Sequence, residues 1–302
     1  MTPEALTERL AESIAVVGAG AVGTALARRL AARGGSVRAV ISRRVEAARR
    51  LAERVGAPVA SSSVADLPAD VRMVFCCVPD DAVAEVAEQL YLLPRDWSGA
   101  LVAHTSGALT SAVLVPLAAR GAAALSFHPM QAFAADGAPE GFEGIYVGLE
   151  GSPLAVRAGA ALAELLGARP LPLSPEEKLC CHLAAAIASN FTVTLQAMAA
   201  EVLATAGIDR PRAAELLRPL VEGTWRNLAR RLPEDALTGP IARGDDATVR
   251  RHLDALARRL PHLTPAYAAM AVETVRLAVR GGRLSESQAR QLLDTLDAAL
   301  AE

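Results

Sequence analysis

The chain contains a single lysine, Lys178, among 31 basic residues. It falls in the first turn of a predicted helix, where the helix macrodipole disfavours a cation by about 0.3 to 1 kcal/mol and should lower the pKa of the ammonium. His182, Ser189 and Asn190 follow at spacings of 4, 7 and 1 residues, which places them on neighbouring stripes of one helical face. These groups can hold a substrate or give it a proton. The alternative is a surface lysine paired with a neighbouring glutamate, with His182 packed as an ordinary core residue.

Three predicted strands also end in polar residues. Asp80 follows one strand, His104 and Ser106 follow the next, and His128 follows a third. Ligands bind beyond the carboxyl ends of parallel strands, so these side chains are expected to gather at one edge of a sheet. The Ser106 hydroxyl and the His128 imidazole suit the alcohol or carbonyl of a hydride-transfer reaction. Asp80 fits a helix N-cap better than a catalyst, and His104 can be a hydrogen-bonded strand-end histidine without a further role.

The segment 14–23, IAVVGAGAVG, runs from a short apolar strand into a glycine-rich turn and then a helix. Gly18 permits the tight turn, Gly20 lets the backbone approach a pyrophosphate, and Gly23 allows the helix and strand to pack closely. The pattern predicts a dinucleotide site at the N-terminus of the helix, the alternative being a bare strand–helix turn. The predicted cofactor-binding residues of this turn and of the neighbouring strand end are Gly18, Gly20, Ala21, Val22, Gly23, Val78 and Pro79.

The end of the second predicted strand indicates which dinucleotide is bound. A site for NAD usually places Asp or Glu there to hold the ribose 2′-hydroxyl. This chain instead has Ser42, Arg43 and Arg44, a hydroxyl and two guanidiniums that suit a 2′-phosphate. The sequence therefore predicts NADP. The alternative is that the two arginines only begin a solvated helix.

A loop over residues 237–245, LTGPIARGD, stands out in the C-terminal half. Its glycines and proline fix an irregular backbone, and Arg243 can clamp a carboxylate or a phosphate of the substrate. The alternative is an ordinary turn in which Asp245 or Asp246 caps the next helix. Both can hold together.

Strands and helices alternate through the first half of the chain. This alternation predicts an α/β fold with a doubly wound, Rossmann-like parallel sheet. A helix over 154–166 and a short strand over 170–173 close this part. The predicted strands cover residues 14–17, 37–41, 73–78, 101–104, 122–127, 145–149 and 170–173.

Strand signals end where Ser174, Pro175 and Glu177 form an N-cap, a proline at the first helical position and a capping box. We therefore divide the chain into a dinucleotide-binding domain over 1–173 and an all-helical substrate and dimerisation domain over 174–302. The first helix of the second part runs towards Gly207 and is long by globular standards. Abundant apolar surface on few elements predicts a homodimer through the helical part.

Composition excludes several classes of protein. The 302 residues are 52% hydrophobic with a net charge of −2, which favours neither nucleic acid nor an anionic membrane as a partner. The apolar runs are expected to be too short or too interrupted by charge to span a bilayer, and acidic residues within 1–12 replace a basic signal region, so a cytoplasmic location is expected. The four cysteines form two adjacent pairs, which lack metal-site spacing and favour buried free thiols, so no metal is expected.

Four segments together resemble a known family: GAGAVG at 18–23, HTSG at 104–107, HPMQAF at 128–133 and TGPIARGD at 238–245. The chain is similar to proteins that join a Rossmann-like NADP-binding domain to a C-terminal helical domain of unknown function, within the 6-phosphogluconate-dehydrogenase-like superfamily. The likeness covers nearly the whole chain and includes the helix bearing His182 and Asn190. It implies NADP oxidoreductase chemistry and supplies no substrate.

More distant relatives suggest roles for individual residues. Resemblance to prephenate dehydrogenases implies that Ser106 binds a substrate hydroxyl or carbonyl and that His128 is an acid or base. Resemblance to ketopantoate reductases and β-hydroxyacid dehydrogenases implies a catalytic Lys178. The asparagine common one turn after that lysine is His182 here, with Asn190 further along. The proton donor is therefore open between His128 and Lys178.

These observations predict an NADP-dependent oxidoreductase that moves hydride between NADPH and the carbonyl or imine of a small carboxylated metabolite. Ser106 and Asn190 would orient the reacting group, His128 or Lys178 would supply the proton, and Arg243, His182 and Ser189 would bind the substrate. A second hypothesis is a non-catalytic, NADP-responsive regulatory dimer. A third, hydride transfer to a deazaflavin, is disfavoured by the 3% aromatic content, which offers little stacking surface.

Overall fold

The β1 strand, Ile14–Val17, lies in the middle of an eight-stranded sheet with the strand order β3-β2-β1-β4-β5-β6-β7-β8. A computed structural model describes residues 12–134 and 138–301, so the acidic residues before position 12 lie outside the described part. The other strands are β2 Val37–Ile41, β3 Val59–Ser61, β4 Met73–Cys76, β5 Leu101–His104, β6 Ala123–Pro129, β7 Tyr146–Gly151 and β8 Arg169–Pro172.

Every strand pair of this sheet is parallel except β6 with β7, which is antiparallel. The predicted α/β fold with a doubly wound parallel sheet is confirmed, and this pair is its antiparallel exception. A parallel return needs a crossover, usually an α-helix. The described part of the chain between β6 and β7 has only the 3-10 helix Pro139–Phe142, so β7 runs back beside β6. The half-buried strand β3 has three residues and was not predicted.

Helices cover both faces of the sheet, as a doubly wound fold requires. Ile14 and Val16 of β1 face one apolar core, and Ala15 and Val17 face the other. Because both faces are covered, β1 is an uninterrupted apolar run. The helices of this part are α1 Ala21–Ala32, α2 Val45–Val55, α3 Asp80–Tyr91, α4 Val115–Ala118 and α5 Pro153–Leu165.

The α6 helix, Pro175–Ala185, begins with the predicted capping box. The Ser174 hydroxyl accepts a hydrogen bond from the Glu177 N–H at 3.2 Å, and the Glu177 carboxylate accepts one from the Ser174 N–H at 2.7 Å. A single π-helical turn, Ala186–Asn190, follows and leads directly into α7, Phe191–Ala204. Such π-turns often occur at functional sites, and this one contains both Ser189 and Asn190.

The chain divides into two compact units, Met1–Ser189 and Asn190–Glu302. The α6 helix therefore belongs to the first unit, together with the sheet. The predicted boundary at 173/174 lies at the start of α6. The assignment of cofactor binding to the part before it, and of substrate binding and dimerisation to the part after it, stays a prediction.

The continuous helix Pro175–Ala204 is long and apolar enough, by length and composition alone, to cross a membrane. The expectation that every apolar run is too short is wrong for this segment. No Asp, Glu, Lys or Arg occurs between Leu179 and Ala200. One such helix is weak evidence for a membrane protein, because helices that are buried by other protein surfaces have the same composition.

The second unit is helical, with a core formed where three of its helices pack together. Asp246 is buried at the start of one of them. Its carboxylate accepts hydrogen bonds from Thr295 Oγ1 at 2.6 Å, Arg250 Nε at 2.7 Å and Gln291 Nε2 at 3.2 Å. The helices after α7 are α8 Arg210–Leu228, α9 Pro233–Ala236, α10 Asp246–Arg259, α11 Thr264–Arg280 and α12 Glu286–Ala301.

Asp246 thus joins α10 to α12. Asp246→Ala should lower the free energy of unfolding by about 3 kcal/mol, because it removes a buried carboxylate that accepts three hydrogen bonds. Urea unfolding of the full chain, followed by circular dichroism, measures the loss. Asp254→Ala, at an exposed position of the same helix, should change stability by less than about 0.5 kcal/mol. Equal losses in the two variants would contradict this role.

Candidate functional site

The turn between β1 and α1 has no room for side chains at two of its three glycines. Gly18 has φ = +110°, a conformation that L-residues rarely adopt, and a Cβ there would collide with the Cys77 carbonyl oxygen. A Cβ on Gly23 would collide with the Gly18 carbonyl oxygen. The glycine turn is therefore pressed against its own helix and against the end of β4.

Gly20 differs from both, because a Cβ there would meet no atom within 4 Å. It is the N-cap of α1 and makes no side-chain capping bond, and the first turn carries no acidic residue. The first N–H groups of a helix, here on Ala21 and Val22, have no partner within the helix and attract anions. The open space above Gly20 thus fits the close approach of a pyrophosphate.

Residues from two other strand ends border this turn. Val78 Cγ1 lies 3.2 Å from the position of a Cβ on Gly18, and Pro79 is the N-cap of α3. After β2, Ser42 is half-buried, whereas Arg43 and Arg44 are exposed. Neither arginine forms an ion pair with any residue that the structure describes. The end of β2 lies beside the turn, because the Gly18 N–H donates to the Ile41 carbonyl oxygen at 2.7 Å, and the two exposed guanidiniums that follow β2 are of the type that binds a 2′-phosphate.

Lys178 is buried, with 2% of its surface exposed. Its ammonium donates a hydrogen bond to the Ser106 carbonyl oxygen at 2.8 Å, the one hydrogen bond that it makes within the described residues. Burial lowers the pKa of Lys178 to about 8, although the nearby Glu150 and Asp80 carboxylates act in the opposite direction. The predicted direction is confirmed, with burial rather than the helix macrodipole as its main cause. The alternative of a surface lysine is wrong.

Two histidines meet over Gly107. A Cβ on Gly107 would collide with His182 Nδ1 and would lie 2.8 Å from His128 Nε2. The two imidazole centroids are 5.7 Å apart with the rings at 72°. Because residue 107 is glycine, both rings can approach the loop after β5. The α6 helix, β6 and this loop thus bring four predicted site residues together: Lys178, His182, His128 and Ser106.

His128 is neutral at neutral pH in this setting. Burial lowers its pKa to about 4, and the neighbouring Lys178 and His182 side chains act in the same direction. Its Nδ1 is buried and has no hydrogen-bond partner within the described residues. A neutral imidazole can orient a polar group but holds no ready acidic proton.

His104 and Ser106 are committed to the backbone of the loop. His104 Nε2 donates to the Thr110 carbonyl oxygen at 3.1 Å, and its Nδ1 accepts from the Ser106 N–H at 3.2 Å. The Ser106 hydroxyl oxygen accepts from the N–H groups of Ala108 and Leu109. Both ring nitrogens of His104 are thus used, as expected for a hydrogen-bonded strand-end histidine, while the Ser106 O–H proton can still be donated.

The remaining predicted site residues lie in the π-turn and in the second unit. Ser189 is half-buried in the π-turn, and Asn190 is exposed at the first position of the second unit. Arg243 is exposed in the second unit, in a loop whose Asp245 side chain caps α10 by accepting the Thr248 N–H at 3.0 Å. The capping alternative is confirmed for Asp245, and a substrate role for Arg243 stays a prediction.

One buried residue of this region, Glu150, is absent from the residues predicted from the sequence. Glu150, 8% exposed, lies at the end of β7 and binds Ser111 in the loop after β5. A lone acidic residue in an otherwise apolar strand, YVGLEG, was the available signal. All four cysteines are free, but only Cys76 is buried and Cys180 is exposed, so the expectation of buried thiols is wrong for Cys180.

Two family models match the chain, and neither covers half of its length. A Rossmann-like domain matches residues 4–129, and a domain of unknown function, DUF2520, matches residues 145–274. No curated protein matches the chain.

Several solved structures are similar over nearly the full length. A candidate NADP oxidoreductase from Bacteroides fragilis is 27% identical, with a TM-score of 0.72, over 95% of this chain and 99% of that one. A protein from Thermotoga maritima is 28% identical, with a TM-score of 0.71, over 88% of this chain and 99% of that protein. An imine reductase from Myxococcus stipitatus in complex with NADP+ shares the fold at 19% identity, with a TM-score of 0.63, over 93% of this chain and 99% of that enzyme.

The Rossmann-like fold and the similarity to the Bacteroides fragilis NADP oxidoreductase support NADP as the cofactor, as the glycine turn and the two arginines after β2 predict. The DUF2520 match covers the β7 strand, α6 and most of the helical unit. The chain therefore combines a Rossmann-like domain with a C-terminal DUF2520 domain, as the resemblance of its sequence motifs implied.

Proposed function

We propose that this protein is an NADP-dependent reductase that acts on the carbonyl or imine carbon of a small carboxylated metabolite. One observation carries the proposal: a buried ammonium lies at the sheet edge where β1 leads into a dinucleotide cradle. The β1, β4 and β5 strands are parallel, so Gly18, Cys77 and Ser106 all follow carboxyl ends at that edge. A cation buried there has chemical work to do beyond packing.

Bound NADPH supplies the hydride to the electrophilic carbon. The protein must then deliver one proton to the oxygen or nitrogen as the π bond breaks. The Lys178 ammonium donates that proton and becomes a neutral amine, which regains a proton from solvent. An ammonium has three N–H donors, and Ser106 takes only one, so two remain for a substrate acceptor.

Lys178 suits the donor role better than His128. A general acid must hold its proton at the working pH and release it readily, which favours a pKa near that pH. The Lys178 pKa of about 8 meets both conditions, whereas the His128 pKa of about 4 leaves the imidazole neutral. His128, with His182 beside it, orients the substrate and excludes water.

The Ser106 hydroxyl contributes to the substrate site in this proposal, because its O–H proton is uncommitted and can be donated to the reacting oxygen. The roles of Ser189, Asn190 and Arg243 in polarising the reacting group and holding a substrate carboxylate stay predictions, with Asn190 and Arg243 exposed in the second unit.

The experiment that tests the function is a substrate screen. Binding of NADPH is first measured by calorimetry, and NADPH absorbance is then followed with a panel of 2-oxo acids and imines. Turnover of any member supports the reductase. Binding without turnover across the panel would favour a non-catalytic, NADP-responsive dimer.

We further propose that the helical part forms a homodimer. Apolar side chains of α7 and α8 are more than 50% exposed at Phe191, Val193, Leu216 and Leu220, and such patches mark interaction sites. The helix that continues into α7 also carries Lys178 in contact with the sheet unit, so a bilayer around it would have to enclose polar loop residues. A second copy of the chain is the occupant that avoids this cost.

The identity of the acid is tested by Lys178→Arg and Lys178→Ala. Wild-type kcat should fall as pH rises through about 8, because only the protonated lysine can donate. Both variants should lose about 10² to 10⁴-fold in kcat, since arginine keeps the charge but does not release its proton. NADPH affinity should change by less than about twofold, and full activity in Lys178→Arg would contradict the assignment.

The basis of NADP preference is tested by Arg43→Ala with Arg44→Ala. Losing the charge-assisted bonds to a 2′-phosphate should reduce the NADP-over-NAD affinity ratio by about 10- to 100-fold, because NAD lacks that phosphate. Calorimetry with both nucleotides measures the ratio. Arg50→Ala, an exposed arginine of α2, is the matched control and should leave the ratio unchanged. An equal loss for both nucleotides would argue against 2′-phosphate recognition.

The dimer is tested by light scattering at micromolar concentration, where the wild type should show twice the chain mass of 31.4 kDa. Val193→Glu places a charge in the proposed interface and should give monomers. Leu92→Glu, at a comparably exposed apolar position of the sheet unit, should remain dimeric. A monomeric wild type, or binding to phospholipid vesicles instead, would refute the homodimer.

A further inference from the structure

Three buried polar residues lie side by side across β5, β6 and β7. His104 is paired with Ser126 in the parallel β5–β6 ladder, and Ser126 is paired with Glu150 in the antiparallel β6–β7 ladder. His104 and Ser126 are fully buried, and Glu150 is 8% exposed. Buried polar groups are costly unless they are hydrogen-bonded, so this row needs a structural or chemical reason.

Both carboxylate oxygens of Glu150 accept hydrogen bonds from the same residue, Ser111. Its Oε2 accepts from the Ser111 N–H at 2.6 Å, and its Oε1 accepts from the Ser111 hydroxyl at 2.9 Å. Hydrogen bonds to a charged acceptor are about twice as strong as neutral ones. The carboxylate therefore fixes the end of the loop that follows β5.

His104 fixes the same loop at two earlier points. It accepts from the Ser106 N–H and donates to the Thr110 carbonyl oxygen. The loop from Ser106 to Ser111 is thus tied down at its beginning by His104 and at its end by His104 and Glu150. The Ser106 carbonyl oxygen that this arrangement presents is the one that accepts from the Lys178 ammonium.

We propose that Glu150 is a positioning residue for Lys178. Its carboxylate holds the loop after β5 so that the Ser106 carbonyl oxygen stays within hydrogen-bonding distance of the Lys178 ammonium. This inference rests on the proposed reductase function, in which Lys178 donates the proton. Glu150 itself contacts neither the reacting group nor Lys178 and acts through the loop and through its charge.

The charge of Glu150 gives the role a second, measurable consequence. Burial lowers the pKa of Lys178, and the Glu150 carboxylate is the largest influence opposing that fall. Asp80 acts in the same direction but is exposed, so solvent screens it. The titratable groups that face Lys178 from the surrounding elements and from its own helix are Glu150, Asp80, His104, His128 and Cys181.

The single lysine of the chain allows a direct test. The full chain is labelled with 13C-lysine, and the titration of its one lysine signal is followed by NMR, independently of activity. Glu150→Gln keeps the shape and an acceptor for the Ser111 N–H but removes the charge. The Lys178 signal should then titrate at lower pH than in the wild type, and the alkaline limit of kcat should move in the same direction.

Two variants separate the loop contact from the charge. Ser111→Ala keeps the Glu150 charge, so the lysine titration should stay at the wild-type pH. Glu150→Ala removes both the charge and the anchor, and kcat should fall about 10²-fold with a smaller change in KM, as expected when a catalytic group is misplaced. Glu150→Gln should recover most of that loss below the pH at which its lysine titrates.

Asp246→Asn is the matched control. Asp246 is a buried acid of the second unit whose carboxylate accepts hydrogen bonds from Gln291 and Thr295. It should lower stability without moving the lysine titration. An unchanged titration in Glu150→Gln, with a wild type that reduces substrates, would overturn the role of Glu150. A shifted titration in a protein that reduces nothing would support the coupling and overturn the proposed function.

Discussion

The hydrogen bond from the Lys178 ammonium to the Ser106 carbonyl oxygen is the interaction on which the site depends. A cation with 2% exposure loses most of its hydration, and a single neutral acceptor returns only part of that free energy. The rest of the cost is met by the position of Lys178 near two carboxylates and by the rigid loop that presents its acceptor. His104 and Glu150 hold that loop through hydrogen bonds to Ser106, Thr110 and Ser111.

The antiparallel β6–β7 pair of the sheet determines where Glu150 lies. Because β7 runs back beside β6, its last residues lie opposite the first half of β6, and Glu150 comes to lie beside Ser126. A parallel β7 would present its carboxyl end at the cofactor edge instead. The reversal thus brings an acidic side chain under the loop after β5, where it binds Ser111, while α5 returns the chain to the parallel strand β8.

The sequence predicted the parts of the molecule that depend on local chemistry. The glycine turn, the Ser174 capping box and most strands follow from backbone geometry and apolar patterns, and each lies within a few residues of its predicted position. Glu150, the strand β3 and the antiparallel pair depend on contacts between distant segments and carry weak local signals. The burial of Lys178 is of the same kind, because a lysine flanked by glutamates at a helix start resembles an ordinary surface residue until the loop after β5 is placed against it.

The identity of the buried cation also has a physical reason. The chain uses arginine for every basic residue except Lys178. A guanidinium keeps its proton in any protein environment, and its planar fork would need several acceptors around it. An ammonium is compact, is satisfied in part by one carbonyl, and has a pKa that burial can bring near neutrality. A site that only had to hold an anion would be served by arginine, so a lysine at this buried position supports the proposed role of Lys178 as a proton donor.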